Sequence, residues 1–236
     1  MIWLWRIFFS ALWLSPVWCA SVKGAVVMTD SRDPGVRRKD FSGAVLWLER
    51  ADGDPPAASR ARRYVMEQKD KHFKPHVLAI PVGATVDFPN HDPIFHNVFS
   101  NYSGQVFDLN LYRPNTTRDV LFKRPGIVRV FCNIHPTMSA VIAVLDTPWF
   151  AVSGPTGDFE MRDVPPGDYI LHVFHERATD ETLHSLVQPV GVASAARVLP
   201  PIRISETGYI PAPHKNKWNR DYPPVLDDQP AYQPHP

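Results

Sequence analysis

Cysteine is scarce in this chain: two among 236 residues, Cys19 and Cys132. Glycine is scarce as well, 12 residues against 25 prolines. A chain with so much proline and few patterns of helical period is expected to be β-rich and turn-rich. A surplus of one charge is lacking too. The 25 Lys and Arg face 24 Asp and Glu, so no basic excess exists to attract nucleic-acid phosphates. No Gly-x-Ser-x-Gly, His-Glu-x-x-His or phosphate-loop motif occurs, and the chain is read as carrying no enzyme chemistry. What remains is 44% hydrophobic and 21% charged, the composition of a chain able to bury a core.

The first twenty residues are a separate matter. Arg6 precedes the apolar run Ile7–Leu14, which ends at Ser15-Pro16. A short positive start, an apolar stretch and a breaker form the pattern of a secretory signal peptide, read over residues 1–20. Pro16 interrupts the run too early for a membrane span, so no span is expected after cleavage. A cut after Cys19 or Ser21 places a smaller residue than Trp18 at the third position upstream. Export, to a periplasm or an equivalent compartment, would remove Cys19 and leave Cys132 alone. A lone thiol in an oxidising compartment forms no internal disulfide, and left free it is a liability.

Beyond residue 20, short alternating runs are punctuated by Pro, Gly, Asn and Asp, the signal of strands. Val22–Met28 and Ala44–Leu48 read as a first pair, and Asp52–Ser59 as a loop. The charged stretch 60–71 reads as a strand around Tyr64–Met66 rather than a helix. Strands follow at His76–Ile80, Ala84–Phe88, Val120–Phe122, Ile127–Cys132 and Ser139–Leu145. Residues 158–175 read as a hairpin turning at Val164-Pro-Pro-Gly167. The final stretch, 207–236, holds seven prolines and reads as an extended, solvated tail.

The informative run is Val130-Phe-Cys132-Asn-Ile-His135-Pro-Thr-Met138. Alternation puts Val128, Val130 and Cys132 on one face of a strand. Cys132 therefore points inward where the chain enters a short loop, and that loop carries His135 and Met138. Upstream, His96 follows another strand. One thiolate, two imidazoles and a thioether are the ligand set of electron-transfer copper sites. A structural zinc site takes four strong N or S donors, so a thioether as the fourth favours a single copper ion.

These residues resemble the cupredoxins, the small blue copper proteins. The matching pieces are FKPHVLAIPVGATVDFPN (73–90), HNV (96–98), PGIVRVFC (125–132) and C-x-x-H-x-x-M (132–138), the last with the short spacing of amicyanin. The resemblance implies a Greek-key β-sandwich over residues 62–146. It also implies a type 1 copper ion held by His96, Cys132, His135 and Met138, with Asn97 bracing the cysteine loop. His91 has no counterpart and is read as a loop histidine. The stretch TGDFEMRDVPPGDYILHV (156–173) resembles the carboxypeptidase regulatory-like, transthyretin-like sandwich, whose opening strands are matched by KGAVVM and GAVLWLE. The chain is thus expected to be all-β, with the copper unit inserted into a discontinuous sandwich, 22–53 plus 147–206.

A one-electron carrier is the function these readings favour, serving a redox partner such as a c-type cytochrome or a dehydrogenase. Copper delivery is the alternative, and a non-redox binding module the second. Multicopper oxidases need His-x-His pairs, and the chain has none.

Overall fold

The computed structural model describes residues 19–33, 35, 39–53, 62–101, 104–210 and 214–222. The signal-like segment therefore lies outside the described residues except for Cys19 and Ala20, and so does the chain beyond Tyr222.

Strands dominate, as the alternating runs require. The chain enters through β1 (Ala20–Thr29) and β2 (Val45–Arg50). It continues through β3 (Arg63–Val65), β4 (Glu67–Lys69), β5 (His72–Lys74), β6 (Val77–Pro81), β7 (Thr85–Pro89) and β8 (His96–Ser100). Next come β9 (Phe107–Tyr112), β10 (Thr117–Leu121), β11 (Gly126–Phe131) and β12 (Ser139–Leu145). It leaves through β13 (Phe150–Val152), β14 (Asp158–Val164), β15 (Gly167–Phe174), β16 (Gln188–Val192), β17 (Arg197–Val198) and β18 (Ile202–Ser205). A short helix, α1 (Asp180–Ser185), is capped by the Thr179 hydroxyl, which accepts from the Thr182 N–H at 3.2 Å.

Strands from both ends of the chain pair with one another. One sheet runs β14-β1-β17, with β18 also on β1, and a second runs β13-β2-β15-β16. Their facing side chains, among them Val22, Val26, Leu46, Leu48, Met161, Leu171, Val173 and Ile204, form one core. The intervening chain builds its own sandwich from the sheets β10-β7-β3 and β6-β12-β11-β8-β9. That core holds Met66, Ile80, Val86, Phe88, Val98, Phe122, Val128, Val130, Ile142 and Val144, together with Cys132 and Met138.

Period-two alternation lets two strands serve two cores each. On β2, Leu46 and Leu48 face their own sandwich, while Val45 and Trp47 face the other way. On β12, Ile142 and Val144 point into the central core, and Ala143 and Leu145 point out. Val45, Ala79, Ala143 and Leu145 are buried together, with Trp47, Val77, Ile127, Phe150, Val152 and Phe174 packed around them. The sandwiches thus meet sheet against sheet. His76 and Glu176 join across the rim of that contact, Nε2 to Oε1 at 2.8 Å.

Of the stretch 60–71, the described residues 62–71 are strand and turn, as the sequence suggested, in β3 and β4. Two pairings differ from the expectation. β1 and β2 lie in opposite sheets instead of pairing with each other. Likewise β14 pairs with β1 and β15 with β2, so the link at Pro165-Pro166 crosses between sheets and is no hairpin. Two adjacent prolines have no N–H to donate to a ladder. The Tyr169 hydroxyl instead donates to the Pro165 carbonyl at 2.9 Å, fixing the crossing.

Candidate metal centre

β11 and β12 are antiparallel, with Phe131 opposite Ser139. The seven residues between them form the loop that carries Cys132, His135 and Met138. Two main-chain hydrogen bonds keep it compact: Cys132 N–H to Met138 C=O and Met138 N–H to His135 C=O, both 3.1 Å. β8 lies beside β11, with Phe99 opposite Phe131, so His96 at the start of β8 comes to the same end of the sheet.

The result is a convergence of donors. Cys132 Sγ lies 3.8 Å from His96 Nδ1 and 3.6 Å from His135 Nδ1. All three donor atoms fall within 4.8 Å of one another. Cys132 and His96 have no exposed surface, and His135 is half-buried. Met138 is fully buried in the core cluster that contains Cys132.

Burial governs the protonation of this group. It pushes the Cys132 thiol above its ordinary value, while the backbone N–H groups of Asn97, Ile134 and His135 pull the other way. Burial also lowers both imidazoles. His96 falls below its ordinary value despite the Asp92 carboxylate, and His135 is pushed down to about 4, with the charges of His96 and Lys71 adding to the effect. Near neutral pH the site is a thiol between two neutral imidazoles. A metal ion needs neutral imidazoles and displaces the thiol proton.

His96 is further held from behind. Its Nε2 lies 2.7 Å from Asp92 Oδ2. Burial works to raise the Asp92 carboxyl, but the N–H groups of Lys71 and Asp70 and the His96 ring outweigh it and keep it below the usual range. Those N–H groups come from the two-residue turn between β4 and β5. Asp70 and Lys71 both take a φ of 58° and donate to Asp92 at 2.6 and 2.9 Å. The sequence reading passed over Asp92, although a carboxylate four residues before a candidate ligand was the available signal.

Asn97 reaches the thiol with its backbone N–H, while its amide side chain donates to Asp108 at 2.7 Å. His91 turns away from the site, its Nδ1 2.8 Å from Glu67 Oε2. The stretch expected to be a solvated tail differs from that expectation at residues 214–222, which pack on the loop. The Tyr222 hydroxyl donates to the Cys132 carbonyl at 2.7 Å. Proline-rich sequence without periodicity gives no sign of such docking.

No family model matches the chain. Over 60 residues it is 43% identical to the methylamine utilization protein MauL of Methylorubrum extorquens, a stretch equal to 25% of this chain and 53% of that protein. The chain therefore spans about half the length of the curated relative it matches. Among solved structures, a purple cupredoxin from Nitrosopumilus maritimus is 23% identical over 36% of this chain and 99% of its own, with a TM-score of 0.32. An amicyanin variant with Cu(I) is 19% identical over 35% of this chain and 82% of its own, with a TM-score of 0.34. The copper-containing nitrite reductase of Thermus scotoductus is 26% identical over 40% of this chain and 26% of its own, with a TM-score of 0.35.

Proposed function

We propose that this chain is an exported copper protein that carries one electron at a time and performs no catalysis of its own. The observation that carries the reading is the buried convergence of Cys132 Sγ, His96 Nδ1 and His135 Nδ1 within 4.8 Å. A soft thiolate with two imidazoles suits copper, and the thioether of Met138 is the weak fourth donor expected of such a set. When bound, the ion supplies a Cu(I)/Cu(II) couple.

The residues supply the rest. The β11–β12 connection and β8 hold the donors in one place whichever oxidation state is present, so little has to move when an electron arrives. His135 is the ligand with exposed surface, and it is the natural edge for a transient partner. The stretch shared with MauL supports placing that partner, a cytochrome or dehydrogenase, in methylamine utilization. The signal-like start supports export. The second sandwich, which resembles the regulatory modules of carboxypeptidases, is read as a support that fixes the outer face of β6 and β12.

The test is visible absorption and electron paramagnetic resonance of the protein titrated with Cu(II), beside Cys132→Ala. An intense thiolate-to-copper band saturating at one equivalent, bleached by ascorbate and absent from the variant, is the expected result. Folded protein without that band ends the copper reading.

A further inference from the structure

Residues 214–222 pack against the central sandwich. They form a closed turn: the Asn216 N–H donates to the Arg220 carbonyl at 2.9 Å, and Asn216 Oδ1 accepts from Trp218 N and Arg220 N at 3.0 Å each. Lys215 and Asp221 pair across its base at 2.6 Å. This geometry brings His214 and Tyr222 side by side, with ring centroids 5.2 Å apart and the rings edge to face.

The turn grips three consecutive residues at the mouth of the ligand loop. His214 stacks on Phe131, with centroids 4.2 Å apart. The Tyr222 hydroxyl donates to the Cys132 carbonyl at 2.7 Å and lies 3.2 Å from His214 Nδ1. The backbone N–H of Lys217 donates to Asn133 Oδ1 at 2.9 Å. A fourth attachment reaches the other ligand strand: Lys217 Nζ pairs with Asp108 at 2.8 Å, and Asp108 holds the side chain of Asn97, next to His96.

Within the loop, the Cys132 N–H is tied to the Met138 carbonyl, while the Cys132 carbonyl is held from outside by the Tyr222 hydroxyl. The planes of the two peptides flanking Cys132 set the direction of its Cα–Cβ bond, from which the sulfur projects in its rotamer. We infer that this C-terminal strap is a positioning element of the metal centre, with Tyr222 and His214 as positioning residues that fix the Cys132 peptide and thereby aim its sulfur. The inference rests on the copper reading for what the sulfur is aimed at. The grip itself belongs to the protein alone.

Consequences follow for both forms of the protein. In the metal-free chain, the strap slows the opening that exposes Cys132. In the copper form, it would fix the direction in which the Cys132 sulfur is presented to the ion, and the thiolate-to-copper band and the midpoint potential would report a change in that direction.

Tyr222→Phe keeps the ring and removes only the hydroxyl, and His214→Ala removes the stack. Both are made in the full chain, with folding checked by circular dichroism. In metal-free protein, alkylation of Cys132 by iodoacetamide is expected to quicken about fivefold on loss of the Tyr222 hydrogen bond. With copper, the band should change in energy or in the ratio of its components, and the potential should shift, in both variants. Alkylation rates, bands and potentials equal to wild type in both variants overturn the inference. Faster alkylation with an unmoved spectrum and potential also overturns it, because the strap is then only a cover. If the wild-type chain gives no thiolate-to-copper band, the copper reading fails by itself. The alkylation rates then decide the grip: faster in the variants supports it, unchanged overturns it.

Discussion

Asp92 Oδ2 lies 2.7 Å from His96 Nε2, while Nδ1 of the same ring faces Cys132 Sγ at 3.8 Å. An ionised carboxylate only accepts hydrogen bonds, and Asp92 is held in its ionised form. The proton of the neutral imidazole therefore sits on Nε2, and the Nδ1 lone pair points into the site. Asp92 thus selects the tautomer able to ligate, and it is itself fixed by the turn at Asp70 and Lys71.

Replacing Asp92 with Asn should remove that selection. Copper affinity, measured by competition with a chelator, is expected to fall about 10- to 100-fold, the usual effect of losing a partner behind a ligating histidine. An unchanged affinity would mean that the ring is oriented by packing alone.

Copper uptake should release protons in a defined number. Near pH 7 both imidazoles are neutral and the thiol is protonated, since burial lowers the former and raises the latter. Binding as thiolate then displaces one proton per ion, and apparent affinity should rise about tenfold per pH unit across pH 6–8. A pH-stat titration reads this directly. Release of two or more protons would show that the imidazoles start out charged.

The contact between the sandwiches should be pH-dependent through His76 and Glu176. The Glu176 hydrogen bond raises His76 above its ordinary value. That contribution is complete below the unfolded histidine value of about 6.5 and is lost as pH rises through the folded one. Burial works to raise Glu176, but His76 outweighs it and holds the carboxyl below its ordinary value. Its contribution is present above the unfolded value of about 4.3 and is lost as pH falls through the folded one. Thermal stability should therefore gain most from the pair between about pH 4.5 and 6.5. Glu176→Gln should lower the melting temperature in that window and reduce its fall on either side, and an unaltered profile would remove the pair from the account.

Val45 is fully buried between the two sandwiches. Val45→Ala should cost about 2 kcal/mol through lost burial and the cavity left behind, which corresponds to a fall in Tm of roughly 4–8 °C for a chain of this size. The copper band should keep its position, because Val45 lies on the far side of β12 from the ligands. A displaced band would show that the interface reaches the site.

Much of this protein was legible along the chain. Alternation marks most of the strands, because a residue's side of a strand depends only on its place in the count. The same rule put Cys132 on the inward face with Val128 and Val130, and all three are fully buried. The loop from Cys132 to Met138 is local enough for its spacing to be read directly. Pairing is another matter. β1 with β14, β2 with β15 and the joining of Val45 to Ala143 are choices among strands that look alike in sequence, settled by which faces exclude the most water. The carboxylate behind His96 depends on a turn more than twenty residues upstream. The strap at Tyr222 depends on a hydrogen bond spanning 90 residues. Local pattern determines which side chains are inward and which loop carries the donors. Where those donors meet, and what holds them there, was decided by contacts between distant segments, which exist only once the sheets have closed.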